Sequence, residues 1–333
     1  MTVPDALARP RRRRVLRSVA AAAALALLLW WLLPLRGGSS PSGKVVLSTG
    51  VPTGVYEKYG KLLRTDLRRD LPDVDVRLLH SQGSVDNIQR LVRGDASFAI
   101  ATADSVATYS AEGGHGAERL RACARLYDDY MQLVVPADSP VRSARDLKDR
   151  RVGVGEDRSG VQLITRRLLA AAGLDFVTDI DARRVGIDRM TGLLREGKLD
   201  AFFWSGGLPT TALENLADDV PIRLVQLGDL TEALHRQGEA TRYYRSAVMP
   251  PDTYPKAQRG RPTKTIAVAN LLVTTERADA ELTEGLTRTV IRSRDRIGEV
   301  VHAAQKVDLR TAVFTDPLDL HEGAARYYRS AKP

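Results

Sequence analysis

From residue 44 onward, short β-branched runs alternate with longer stretches whose apolar positions recur every three or four residues. A strand is predicted over 44–49, a helix over 55–68, a strand over 74–79, a helix over 85–92, a strand over 97–101 and a helix from Asp104. This alternation is the βαβ signature of a parallel sheet. Two further strands are expected over 120–126 and 130–136. The pattern then restarts, with a short helix over 144–147, strands over 151–154, 182–185, 201–204 and 222–227, and helices over 161–172, 189–195 and 209–216. A long apolar strand over 264–274, a helix over 278–300 and a last helix over 318–328 complete the chain. Two βα series imply an α/β, two-lobed clamp. Residues 44–136 and 249–333 form lobe I, residues 137–248 form lobe II, and a hinge is expected near Pro136 and Met249. Ligands of open α/β sheets sit in the cleft such lobes leave.

The first 43 residues read differently. Arg11 to Arg14 precede an apolar run whose uninterrupted part is Val19 to Leu33. As a helix that run covers roughly 22 Å, and about 30 Å if extended to Leu16 and Leu35. Residues 1–36 are therefore expected to be a leader or signal-anchor helix. The arginines mark the cytoplasmic end, and Trp30 and Trp31 suit the outer interface. No small-x-small cleavage site and no lipid-accepting cysteine follow the run, which favours an anchor over a cleaved signal. Residues 37–43, Gly-Gly-Ser-Ser-Pro-Ser-Gly, form a flexible linker, so the body is expected outside the cell and close to the membrane.

The net charge of +9 invites a nucleic-acid reading. Its location removes it. Residues 1–36 hold seven arginines against one aspartate, leaving +3 for the body, which has no long basic run with interleaved aromatics. The single cysteine, Cys123, excludes an intramolecular disulfide framework and a Cys-based zinc site, and its apolar and small neighbours point to a buried thiol. The five histidines lack metal-ligand spacing, so no metal or cofactor is expected. No Gly-x-Ser-x-Gly elbow holds a nucleophile, and the chain is read as a non-enzyme.

Candidate chemistry lies in four strand-to-helix turns: Thr49-Gly50-Val51-Pro52-Thr53-Gly54-Val55-Tyr56, Ser81-Gln82-Gly83-Ser84-Val85, residues 153–161 around Arg158-Ser159-Gly160, and Trp204-Ser205-Gly206-Gly207-Leu208-Pro209. Glycine lets backbone N–H groups approach a ligand, and a helix N-terminus favours negative charge. None is a dinucleotide fingerprint or a P-loop. With two turns from each lobe, all four face one cleft if each lobe is a parallel sheet.

These turns, with Gly94-Asp95-Ala96, Gly197-Lys198-Leu199-Asp200-Ala201-Phe202-Phe203 and Pro250-Pro251-x-Thr253-Tyr254-Pro255, resemble the TAXI-type solute-binding subunits of TRAP transporters over residues 44–330. The resemblance implies a type II periplasmic-binding-protein fold and a small organic anion as ligand, a dicarboxylate or an acidic amino acid such as glutamate. It also implies TRAP permease subunits as partners. Carried over, ligand contacts fall on Thr49, Gly50, Thr53, Gly54, Tyr56, Gly83, Ser84, Ser159, Gly160, Gly206, Gly207 and Pro209. The family's Gly-Ser-Gly-Thr reads Arg158-Ser159-Gly160-Val161 here, and a tyrosine that commonly follows Tyr56 is Glu57. Two readings of Arg158 stay open: a bidentate contact to the ligand carboxylate, or a surface pair with Glu156 or Asp157. A ligand-presenting sensor or an ABC-type binding protein of the same fold would share all these features.

Overall fold

A computed structural model of the protein describes residues 41–331; the leader and most of the linker lie outside the described residues. Within residues 41–331, the first wing alternates β1 (Gly43–Ser48), α1 (Val55–Asp70), β2 (Val74–Leu79), α2 (Ser84–Arg93), β3 (Phe98–Thr102) and α3 (Ala103–Ala111). β1 pairs in parallel with both β2 and β3. Helices cover both faces, and every residue of β3 is buried, as its unbroken apolar run requires.

The chain then enters β4 (Leu120–Pro136) and continues through β5 (Arg151–Gly153), α4 (Gly160–Ala171), β6 (Asp181–Arg183), α5 (Ile187–Arg195), β7 (Ala201–Gly206), α6 (Thr211–Asp219) and β8 (Ile222–Val225). β5 lies parallel between β6 and β7, giving a second wing with its own core around Val152, Leu168, Phe203 and Val225. After α7 (Thr231–His235) come β9 (Tyr244–Met249), α8 (Pro255–Gln258), β10 (Thr263–Thr275), α9 (Ala280–Arg292), α10 (Arg294–Gly298) and α11 (Glu322–Ser330).

The sheet order β2-β1-β3-β10-β4-β7-β5-β6 puts the two long strands between the wings. β4 pairs with β10 through Leu120–Tyr130 and with β7 through Tyr130–Val134. β10 pairs with β3 through Asn270–Val273 and with β9 through Thr263–Val268. The chain therefore crosses between wings at Asp128–Tyr130 and at Val268–Asn270, while Pro136 and Met249 end β4 and β9.

Three sequence expectations are corrected. The two strands expected over 120–126 and 130–136 are the single strand β4. β9 is an additional strand; its alternation is weak because Arg245, Ser246 and Val248 are exposed along a sheet edge. The helix expected over 278–300 breaks at Ser293 into α9 and α10.

The returning C-terminal segment packs against the first wing, where α11 crosses α9 so tightly that a Cβ at Gly323 would collide with the backbone carbonyl of Ala280. Gly323→Ala must push two helix backbones apart. We expect a loss of about 3 kcal/mol, read as a lower urea midpoint at unchanged slope.

Candidate functional site

Three helices aim their N-termini into the space between the wings. α1 starts after Gly54, α2 after Gly83 and α4 after Ser159. The first N–H groups of each have no intrahelical acceptor, and the peptide dipoles place partial positive charge there. Gly83 adopts φ +126°, a conformation L-residues avoid, and a Cβ there would lie 3.5 Å from Ser159 Cα across the cleft. The Ser159 hydroxyl caps α4 by accepting from the Gln162 amide at 3.1 Å.

The cavity these helices share has a volume of about 60 Å³. Gly50, Gly54, Tyr56, Gly83, Ser84, Ser159, Gly160 and Gly206, all expected from the sequence, line it. The other expected residues lie elsewhere. Thr49 is buried below the turn and donates to Glu57 Oε2 at 2.6 Å. Thr53 bonds Asp188 on the surface. Gly207 packs beside Val55 and Tyr127, and Pro209 lines a separate groove with Asp128 and Asp252.

Arg158 reaches partners other than the expected Glu156 and Asp157. Held at φ +62°, it carries its half-exposed side chain across the cleft, where its Nε donates to Gln82 Oε1 at 3.2 Å. Its Nη1 donates to Gln89 Oε1 at 3.4 Å and lies 3.8 Å from Asp86 Oδ1, and its carbonyl accepts from the Asp86 amide at 3.1 Å. It clasps the first wing from outside the cavity.

The wall formed by the crossing strands was not anticipated. Asp129 of β4 is 4% exposed and lines the cavity with Trp204, Ser205 and Thr102. Its Oδ1 accepts from Asn270 Nδ2 at 2.8 Å, and its Oδ2 receives a longer contact of 3.4 Å from Ser205 Oγ. Asn270 sits where β10 shifts register against β4, and bulges of this kind re-aim a side chain. The Asn270 Oδ1 accepts from the Tyr56 hydroxyl, which in turn lies 3.1 Å from Ser84 Oγ, itself accepting from the Thr102 amide at 3.1 Å. One polar chain thus joins the crossing strands to the N-termini of α1 and α2. Burial pushes the Asp129 carboxyl up to about 7; the Asn270 bond opposes this, while Asp128 and Asp104 reinforce it. Glu156, also lining the cavity, is raised by burial and by Asp188. Cys123 is fully buried, and burial raises its thiol, in keeping with a structural role.

A second set of bonds links the wings away from the cavity lining. Arg167 of α4 donates to Thr108 Oγ1 of α3 at 2.7 Å and to the Tyr244 hydroxyl at 2.9 Å. That hydroxyl donates to Asp104 Oδ2 at 2.7 Å, and Arg167 Nη1 lies 3.6 Å from the same carboxylate.

Among the described residues, no group of three or more His, Cys, Asp or Glu side chains is placed to hold a metal ion, and no helix is long and apolar enough to cross a membrane.

Comparison with known proteins matches residues 47–331 to the NMT1-like family. Among solved structures, a periplasmic transporter aligns over 88% of this chain and 93% of its own, at 12% identity and a TM-score of 0.56. A protein of Bordetella bronchiseptica aligns over 87% and 90%, at 18% identity and a TM-score of 0.53. A candidate L-cystine ABC transporter protein of Listeria monocytogenes aligns over 80% and 98%, at 12% identity and a TM-score of 0.50. At these identities the likeness concerns the fold alone.

Proposed function

The chain belongs to the NMT1-like family, and on that footing we propose that it is an extracytoplasmic solute-binding protein that closes on a small carboxylate-bearing solute and catalyses nothing. The observation that carries this reading is the convergence of three helix N-termini, from both wings, on one cavity. A carboxylate there receives backbone donors and the favourable ends of three dipoles. The arginine-rich apolar leader supports placement outside the cell, tethered to the membrane. The TAXI-like motif set supports a TRAP permease as recipient of the solute. Thermal-shift screening against carboxylates and amino acids tests the reading. A true ligand at about 100 times its Kd stabilises by about 2.7 kcal/mol, a rise of several degrees. Uniformly unchanged melting temperatures would refute it.

Closure is a hinge motion at the crossings Asp128–Tyr130 and Val268–Asn270, held by the Arg158 clasp and the Arg167 latch. Arg167→Lys keeps the charge and loses the fork that spans Thr108 and Tyr244. The latch then favours the closed form less, and solute affinity should fall about 10-fold in a calorimetric titration. Unchanged affinity would remove the latch from the mechanism.

A further inference from the structure

The cavity has two poles. One consists of the backbone amides that open α1, α2 and α4. The other is acidic: Asp129 and Glu156 line the cavity, and among the described residues no Lys, Arg or His side chain does. Arg158, the cation best placed in sequence to offset a second negative charge, points away to Gln82, Gln89 and Asp86. Asp129 Oδ1 is occupied by Asn270 at 2.8 Å, while Oδ2 has only the 3.4 Å contact from Ser205. A carboxylate oxygen has two lone pairs, so Oδ2 keeps acceptor capacity facing the cavity.

We propose that the solute is a compact amino-acid zwitterion, its carboxylate on the helix N-termini, its ammonium on Asp129, with no second charged group. The proposal rests on the cavity being the solute site, as argued above. An ammonium brings three donors and no acceptor, which suits Asp129 Oδ2 and the hydroxyls of Ser205 and Tyr56 on the same wall. A second carboxylate would be buried against Asp129 or Glu156 without a cation, the costly arrangement for a desolvated charge. Size points the same way: at about 60 Å³ the cavity favours a small side chain.

The test is calorimetric titration of the purified full-length protein with the twenty common amino acids, succinate and 2-oxoglutarate, from pH 5.5 to 8.5. A small uncharged-side-chain amino acid is expected to bind most tightly, with glutamate at least about 10-fold weaker and the dicarboxylates weaker still. Asp129→Asn should weaken amino-acid binding about 10- to 100-fold. The wild-type pH profile is a second readout that needs no variant. An ammonium requires ionised Asp129, so affinity should rise with pH through about 7. A dicarboxylate seated on protonated Asp129 would instead bind more weakly over the same interval. The titratable groups around Asp129 are Asp128, its strand neighbour, which is paired with Arg125 and Arg245; Asp104, which is paired with Arg167; Glu156 of the same cavity; and the hydroxyls of Tyr56 and Tyr127. Both tyrosine hydroxyls are pushed above their ordinary range by burial, so neither titrates in this window. Tightest binding by a dicarboxylate or by an amino acid with a charged side chain overturns the zwitterion and leaves the solute-site reading standing. So does amino-acid binding that Asp129→Asn leaves unchanged. If nothing in the panel binds, both fail together.

Discussion

Gly160→Val should give a folded protein that no longer retains its solute, with affinity reduced at least 100-fold, about 3 kcal/mol. Gly160 is the first residue of α4, where any residue adopts the required backbone, so the second wing has no reason to unfold. A Cβ there would sit 3.0 Å from Ser84 Oγ and 3.4 Å from Ser84 Cβ. The two methyl groups of valine extend farther, into the cavity and against the start of α2. Overpacking of this kind costs about 1–3 kcal/mol, and here only the closed form bears it. The methyls also occupy space that the solute carboxylate needs. The melting temperature of the ligand-free variant should stay near wild type, while calorimetry shows heat of dilution alone. Wild-type affinity in this variant would mean that the solute sits elsewhere.

The second large effect is on stability. The Asp129 carboxyl is held at about 7 in the fold, against 3.8 for the free group. The native state therefore binds this proton more tightly than the unfolded chain. The stabilisation is fully present below pH 4 and is lost as pH rises through 7. A difference of about 3 units corresponds to about 4 kcal/mol across that window. In urea denaturation of ligand-free protein, the stability of Asp129→Asn relative to wild type should rise between pH 4 and pH 7.5 and exceed wild type at pH 7.5. A solute ammonium should restore what ionisation removes. If wild type and Asp129→Asn show the same pH slope, the buried carboxylate is not its source.

Much of the site could be read in advance because strand-to-helix turns carry a local signal. A β-branched run, one or two glycines and an amphipathic stretch fix where helix amides will point, and eight of the expected residues line the cavity. The acidic wall had no such signal. Asp128 and Asp129 interrupt the apolar run of β4, and two adjacent carboxylates look like a turn between two strands. In the strand they point to opposite faces. Asp128 pairs with Arg125 at 2.8 Å and with Arg245, while Asp129 turns inward to Asn270. Asn270 was equally silent, a single polar residue inside a long apolar strand whose role depends on a register shift. Arg158 stands out in the sequence, but its partners lie some 70 positions away and only the tertiary arrangement supplies them. The strands change partners at Asp128–Tyr130 and Val268–Asn270, whereas Pro136 and Met249, where the sequence places the lobe boundaries, end β4 and β9.

The most direct test is a crystal structure of the protein grown with the amino acid that binds it most tightly. The solute carboxylate should lie within 2.7–3.1 Å of amides that open α1, α2 and α4, with its ammonium on Asp129 and both wings in contact with it. A solute bound outside this cavity, or one whose carboxylate faces Asp129 while the helix amides stay unpaired, would contradict it.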